Sequence, residues 1–401
     1  MFDSSWQTLS LNPLAALGIL LLLGILGGKI ATRSIRLPRV TGYIMTGLII
    51  GPAGLKLISA ELVAQADFFI QLGLGLALFE QGRRLDLPWL IRERALLLST
   101  ALISALTFAC LFLLLLLFNL PLIIALTVAS LLLATSPALV LDVIDESKAE
   151  GQVTERLAVH TGISTLIALF TFSCTLTYTH TTDTTTTSAL MPFWLMIGSV
   201  ATGLIAGLMT TRLNIWLGGR NPHIQCVLLC AMIALVTGLS TMLTMLPMLA
   251  LLIFGITVRA LGRQPVFNTP ALAQYSLLFY VALFVALGTQ LTPSAAVPVL
   301  PLILSIIAVR ALVTLIGWSI AAHFNGLTWR RGIWLAWALL PLPAWPSALF
   351  ALMAQAHPLD VAQPIQLVIG AVYLTQLLGP ILTQQALRRA GECPPPPAAP
   401  F

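Results

Sequence analysis

Two helix-length apolar stretches of this 401-residue chain are each broken near the middle by proline, one at Thr135-Ser136-Pro137 and the other at Pro341-Leu342-Pro343 with Pro346. Proline has no N–H to give a helix, and its ring clashes with the carbonyl four residues back, so each stretch leaves backbone groups unpaired at its centre. Hydrocarbon tolerates such a break only where it is buried in protein or lines a cavity. Pro341 follows Thr135 by 206 residues. Two matched interruptions in two halves of one chain mark an ion or substrate site near the midplane, the pattern of a secondary transporter.

Composition supplies the membrane. With 58% hydrophobic and only 8% charged residues, and a mean hydropathy of +0.97, the chain lacks the charge to cover a soluble surface. Hydropathy predicts thirteen spans, at 12–31, 38–58, 66–82, 95–118, 121–143, 153–178, 189–211, 222–242, 244–261, 271–291, 295–322, 330–354 and 362–386. The eighth and ninth are separated only by Ser240-Thr241-Met242-Leu243-Thr244 and Pro247. The expectation is an all-α polytopic protein, one membrane domain over 1–389 and an irregular Pro-rich tail over 390–401.

Basic residues test that count, because they gather in cytoplasmic loops. Odd-numbered loops and the tail carry 18 of the 20 Lys and Arg; even-numbered loops hold only Lys56, and Arg310 sits inside a span. The alternation predicts an external N-terminus and a cytoplasmic C-terminus, in the inner membrane of a bacterium. The net charge of +6 then reflects topology, and no nucleic-acid partner is expected. Met1 to Leu11 has no Lys or Arg, so the first span is expected to remain in the protein. The five cysteines show no metal-site spacing beyond Cys226 and Cys230 at i, i+4 in an apolar span, and read as packing residues. Neither metal nor cofactor is expected. Gly73-Leu74-Gly75 lacks a strand-turn-helix context for nucleotide, and no HExxH, GxSxG or paired intramembrane aspartates point to an enzyme.

An internal repeat is legible beyond the prolines. Residues 77–88 read ALFEQGRRLDLP and 282–293 read ALFVALGTQLTP, so Ala-Leu-Phe, Gly, Leu and Pro recur at an offset of 205 to 206. Spans two to six, about 38–178, would match spans nine to thirteen, about 244–386, in opposite orientation. Gly42, Gly47 and Gly51 in span two suit close helix packing.

The stretch RLPRVTGYIMTGLIIGPAGL at 36–55 resembles the opening signature of the cation:proton antiporter-2 family, the Kef-type and related sodium/proton exchangers. LALFEQGRRLDL at 76–87, ATSPALVL at 134–141, the helix around Arg310 and the Pro-rich span at 330–354 follow in family order. The resemblance implies thirteen helices, with a core containing two crossing unwound helices that moves against a dimerisation domain. It also implies exchange of Na+ or K+ for protons, usually by a homodimer. Many Kef-type relatives carry a nucleotide-sensing C-terminal domain; none is expected here, because the chain ends about 15 residues after its last span.

The candidate site follows from the breaks. Unwound backbone at Thr135, Ser136 and Pro137 and around Pro341 to Pro346 offers carbonyl oxygens and opposed half-helix ends, and the two hydroxyls suit a hard alkali cation. Arg310, alone among apolar residues, costs a few kcal/mol unless it is paired or touches a helix C-terminus. By resemblance, a basic residue in this helix supports the crossing or pairs with a site carboxylate. The sequence departs from the family in the sixth span, where Asn-Asp or Asp-Asp is replaced by Ser164-Thr165. Hydroxyls do not titrate near neutral pH, so proton coupling needs another carrier. Glu80, near the end of span three, and His160, one turn before Ser164, are the candidates, each set against a plain structural role. Asp142 and Asp145 read as loop charge at the cytoplasmic mouth. The alternatives to antiport are a same-fold carrier or symporter for another solute and a transport-silent relative.

Overall fold

The computed structural model describes residues 13–35, 37–57, 67–180, 191–217, 221–262, 269–289, 297–346 and 362–394. Regular structure among them is helical throughout. In chain order the helices are α1 (Pro13–Ile30, continued by a π turn over Ala31–Ile35), α2 (Arg39–Ile50), α3 (Asp67–Arg84), the short α4 (Leu87–Arg92), α5 (Arg94–Leu117), α6 (Leu122–Leu132) and α7 (Pro137–Ser147). They continue with α8 (Gln152–His180), α9 (Met191–Trp216), α10 (Pro222–Met242), α11 (Pro247–Leu261), α12 (Thr269–Thr289), α13 (Leu300–Phe324), α14 (Trp329–Ala338) and α15 (Ala362–Arg389).

Eight of these segments are long and apolar enough to cross a bilayer, counting α6 with α7 as one, and α2, α11 and the 277–289 part of α12 are shorter apolar helices. Each of the thirteen expected spans falls on a helix. The second half of the twelfth, beyond Pro346, lies outside the described residues. The uncertain division between the eighth and ninth spans is real: α10 ends at Met242, Thr244 turns the chain with φ +52°, and Pro247 opens α11. The sequence reading did not foresee α4, which Asp86 starts by accepting the Trp89 N–H at 3.2 Å.

The helices pack in two groups. One joins α1, α2, α3, α9, α10, α11 and α12; the other joins α5, α6, α7, α8, α13, α14 and α15. We call the first the scaffold and the second the core. The scaffold is tied by two glycine crossings. Gly47 on α2 lies against Gly288 on α12, and Gly82 on α3 against Gly255 on α11, with backbone so close that a Cβ at any of the four would strike a carbonyl or amide of its partner. Gly82 and Gly288 are the glycines of the repeated sequence, so the same contact is made twice, each time between helices from opposite halves of the chain. This swapped pairing is what an inverted repeat produces. Gly42 makes a comparable approach to Gly27 and Gly28 on α1.

The core is closed by the tail. Glu392, only 9% exposed, accepts the main-chain N–H groups of Val153 and Thr154 at 2.7 and 2.8 Å and the Thr154 hydroxyl at 2.8 Å. Its own carbonyl accepts from Glu150 N at 2.9 Å. Helix α8 begins after Gly151, whose φ of +155° suits glycine and whose missing side chain leaves no local cap; a carboxylate from beyond α15 fills that role. Part of the expected irregular tail is therefore a structural element.

The glycine crossings generate a stability prediction. Leucine at Gly255 would drive α11 off the Phe79 carbonyl, an overpacking costing roughly 1–3 kcal/mol or more. Gly255→Leu should lower the thermal midpoint of detergent-solubilised protein, whereas Gly238→Ala, with open space where a Cβ would sit, should not lower it.

Candidate functional site

The two proline breaks meet. Span five stops at Leu132 and resumes at Pro137; span twelve stops at Ala338 and turns helical again at Trp345. Ser136 precedes proline and is pushed to extended backbone, φ −68° and ψ 111°, from which its hydroxyl caps α7 by accepting Leu139 N at 3.4 Å. Its N–H donates to the carbonyl of Pro341 at 2.8 Å. One backbone bond thus joins the two interruptions across more than half the chain.

Other freed backbone groups find side-chain partners from neighbouring helices. The Thr135 hydroxyl donates to Leu339 O at 3.1 Å, and Thr135 N reaches Ser164 Oγ on α8 at 3.4 Å. On α15, Thr375 Oγ1 accepts Leu342 N at 3.2 Å, Gln376 Nε2 donates to Leu342 O at 2.7 Å, and Thr383 Oγ1 donates to Ala338 O at 3.1 Å. These groups would each cost several kcal/mol if left bare in hydrocarbon. Sequence reasoning missed Thr375, Gln376 and Thr383; the available signal was that these three polar residues share one face of the last helix.

Arg310, 2% exposed at the middle of α13, completes the crossing. Its Nη2 donates to Thr135 Oγ1 at 3.0 Å and to Leu339 O at 3.1 Å. Leu339 caps the C-terminal end of α14, where a helix carries partial negative charge, so the guanidinium sits where a helix dipole favours it. No ion pair links Arg310 to a carboxylate among the described residues. The Nε and Nη1 groups are buried without a hydrogen-bond partner.

The sequence-derived candidates therefore separate. Thr135, Ser136, Pro137, Ser164 and Arg310 come together. Ser164 also donates to Thr161 O at 3.1 Å. Thr165 is fully buried on the same helix, but its hydroxyl donates to Thr161 O at 2.8 Å, within α8. His160, 3% exposed, packs edge-on against Trp318 with ring centres 5.5 Å apart, and it makes none of the hydrogen bonds of the crossing described above. Glu80 accepts from Arg83 at 2.9 and 3.0 Å and from Arg84 at 3.4 Å. It lines a cavity of about 1080 Å³ that also touches Asp145, Thr154, Ala158 and Val159. Val159 stands five residues before Ser164, roughly 8 Å along the helix axis, so the cavity ends short of the crossing. No group of three or more His, Cys, Asp or Glu that could hold a metal ion occurs among the described residues.

Helices that break in mid-span, cross, and hand their freed backbone groups to one another define a polytopic secondary-transporter fold. The sodium/hydrogen exchanger transmembrane family matches residues 18–389, and the chain belongs to it. Membership makes it a transporter of the cation:proton antiport class and not an enzyme. Its fold is similar to the structure of the sodium proton antiporter MjNhaP1 from Methanocaldococcus jannaschii at pH 8, with TM-score 0.73, 19% identity, and coverage of 95% of this chain and 99% of that one. The electron-microscopy map of the same antiporter gives TM-score 0.74 at 18% identity, covering 96% and 99%. No curated protein matches the sequence.

The bonding pattern distinguishes Thr135 from Thr165. Thr135→Val removes the acceptor of a buried guanidinium and a donor to Leu339 O, and should cost about 1–3 kcal/mol for the groups left bare. Thr135→Ser should retain most of that. Thr165→Val, which loses only a bond within its own helix, should shift the thermal midpoint far less; comparable losses at both positions would contradict the geometry.

Proposed function

We propose that the protein exchanges a monovalent cation, Na+ or K+, for protons by alternating access, as a homodimer in the inner membrane of a bacterium, with the N-terminus outside and the C-terminus in the cytoplasm. The observation that carries the reading is the hydrogen-bonded crossing of the two broken helices with Arg310 lodged in it. Opposed half-helix ends at mid-membrane are the means by which transporters of this build hold ions without a dedicated cage. The relatedness to the Kef-type branch rests on the segments at 36–55, 76–87 and 134–141.

In this reading Thr135, Ser136, Pro137, Ser164, Thr165 and Arg310 surround the transported ion, and the proton is carried by a group outside the crossing. Glu80 is favoured over His160: it is a carboxylate on the wall of the cavity that approaches the crossing, and Arg83 and Arg84 keep it in place. The core, whose members are bonded to one another through Glu392 and the α15 side chains, would shift as one body against the glycine-tied scaffold.

A second reading is favoured by one specific observation. With Ser164 and Thr165 in the sixth span and no described carboxylate paired to Arg310, the crossing carries a positive charge. A cation about 6 Å from that guanidinium would be repelled by roughly 3 kcal/mol at an effective dielectric constant of 20. A same-fold carrier or symporter for another solute, or a transport-silent relative, fits that charge.

Proteoliposomes separate the two readings. Imposed Na+ or K+ gradients should drive proton movement reported by an internal pH dye, Glu80→Gln should abolish it, His160→Ala should leave most of it, and Arg310→Ala should impair folding or flux. If neither gradient moves protons in the wild type, exchange is the wrong reading and the second stands.

A further inference from the structure

The last turn of α7 carries two adjacent acids, Asp145 and Glu146, each held by a base on a different scaffold helix. Arg84, at the end of α3, donates Nη2 to both carboxylate oxygens of Asp145, at 2.8 and 3.0 Å. Arg39, which opens α2, donates its main-chain N–H to Glu146 Oε2 at 2.9 Å and places its side-chain Nε 3.6 Å from Oε1. Asp145 and Glu146 stand at a helix C-terminus, where the dipole disfavours negative charge, and α7 has no basic residue in that turn. Nothing within the helix rewards acids there; the partners across the boundary do.

Burial makes the contacts stronger than ordinary surface pairs. The Arg84 side chain is 25% exposed and that of Glu146 only 12%, while Asp145 and Arg39 remain about half open to water, at 53% and 54%. Each pair has one shielded member, which raises its strength above the surface norm, and one wetted member, which lets it dissociate. Arg84 is also oriented by Glu80, itself gripped by Arg83. Both pairs join the core half-helix that begins at the crossing, α7, to the scaffold, at one end of the molecule and beside the large cavity.

We infer that the C-terminal turn of α7 is a two-point latch between core and scaffold, made by Arg84–Asp145 and Arg39–Glu146, and that it opens each time the core shifts. The inference rests on the alternating-access reading above and adds the contacts that hold one of its two states.

The test starts from a protein with Cys110, Cys174, Cys226, Cys230 and Cys393 replaced by serine. In that background Arg39→Cys and Glu146→Cys, the pair that has no part in holding Glu80, are joined in membranes by a reducible bis-thiosulfonate of side-chain length. Cross-linking should reduce exchange to background, and reduction should restore it; a cross-linked protein that exchanges as fast as the reduced one overturns the latch. A second measurement needs no transport. Val143→Cys, buried on α7, should react with a soluble maleimide about tenfold faster once Asp145→Asn and Glu146→Gln remove both pairs, a factor in keeping with the loss of partly desolvated ion pairs. An unchanged labelling rate also overturns it. Absence of exchange in every sample would count against the antiport reading alone, because the labelling arm decides the latch by itself.

Discussion

A backbone amide or carbonyl with no partner is intolerable in hydrocarbon, and the core of this protein is organised around that fact. Breaking one span frees several such groups; breaking two at matched depth lets each relieve the other. The bond from Ser136 N to Pro341 O does this directly. The remaining groups are served by hydroxyls, an amide and a guanidinium from α8, α13 and α15. Every helix of the core except α5 is thereby tied to the crossing by a polar contact or belongs to it. The site and the rigidity of the core are consequences of the same bookkeeping.

The scaffold solves a different problem by different means. Its helices carry few polar contacts and approach through glycine, where backbone meets backbone and dispersion is densest. Gly47 with Gly288 and Gly82 with Gly255 leave no slack for sliding. The result is one body tied by polar bonds and another by close packing. Where the two meet at the end of α7, charged pairs open to water on one side replace both. A boundary of that kind can be parted and remade at small cost, which neither the glycine crossings nor the buried hydroxyl bonds permit.

Much of this was legible in the chain. The thirteen spans, the two breaks and their repeat follow from hydropathy and proline, because both act locally and leave a mark at each position. The glycines of span two announced close packing without naming a partner. Thr135 and Arg310 were identifiable because polar residues in apolar text demand a reason. Their mutual contact was not, since 175 residues separate them and only folding supplies the juxtaposition. The supporting residues on α15 and the Glu392 cap escaped notice for the same reason: a threonine or a tail glutamate has no signature until its partner is in place. Glu80 precedes two arginines in the chain, and in the fold both hold it.

From sequence alone come the solvent this protein lives in, the run of apolar spans along it, the places where its helices must fail and the Ser164-Thr165 pair in the sixth of those spans. These are properties of composition and of single residues, and no neighbour can undo them. Only the tertiary structure decided what the failed helices do with their loose ends, that Arg310 rests on a helix C-terminus and the Thr135 hydroxyl, and that α7 is held from outside by Arg84 and Arg39. Those outcomes depend on which distant groups come within about 3 Å of one another, a quantity that no local pattern encodes.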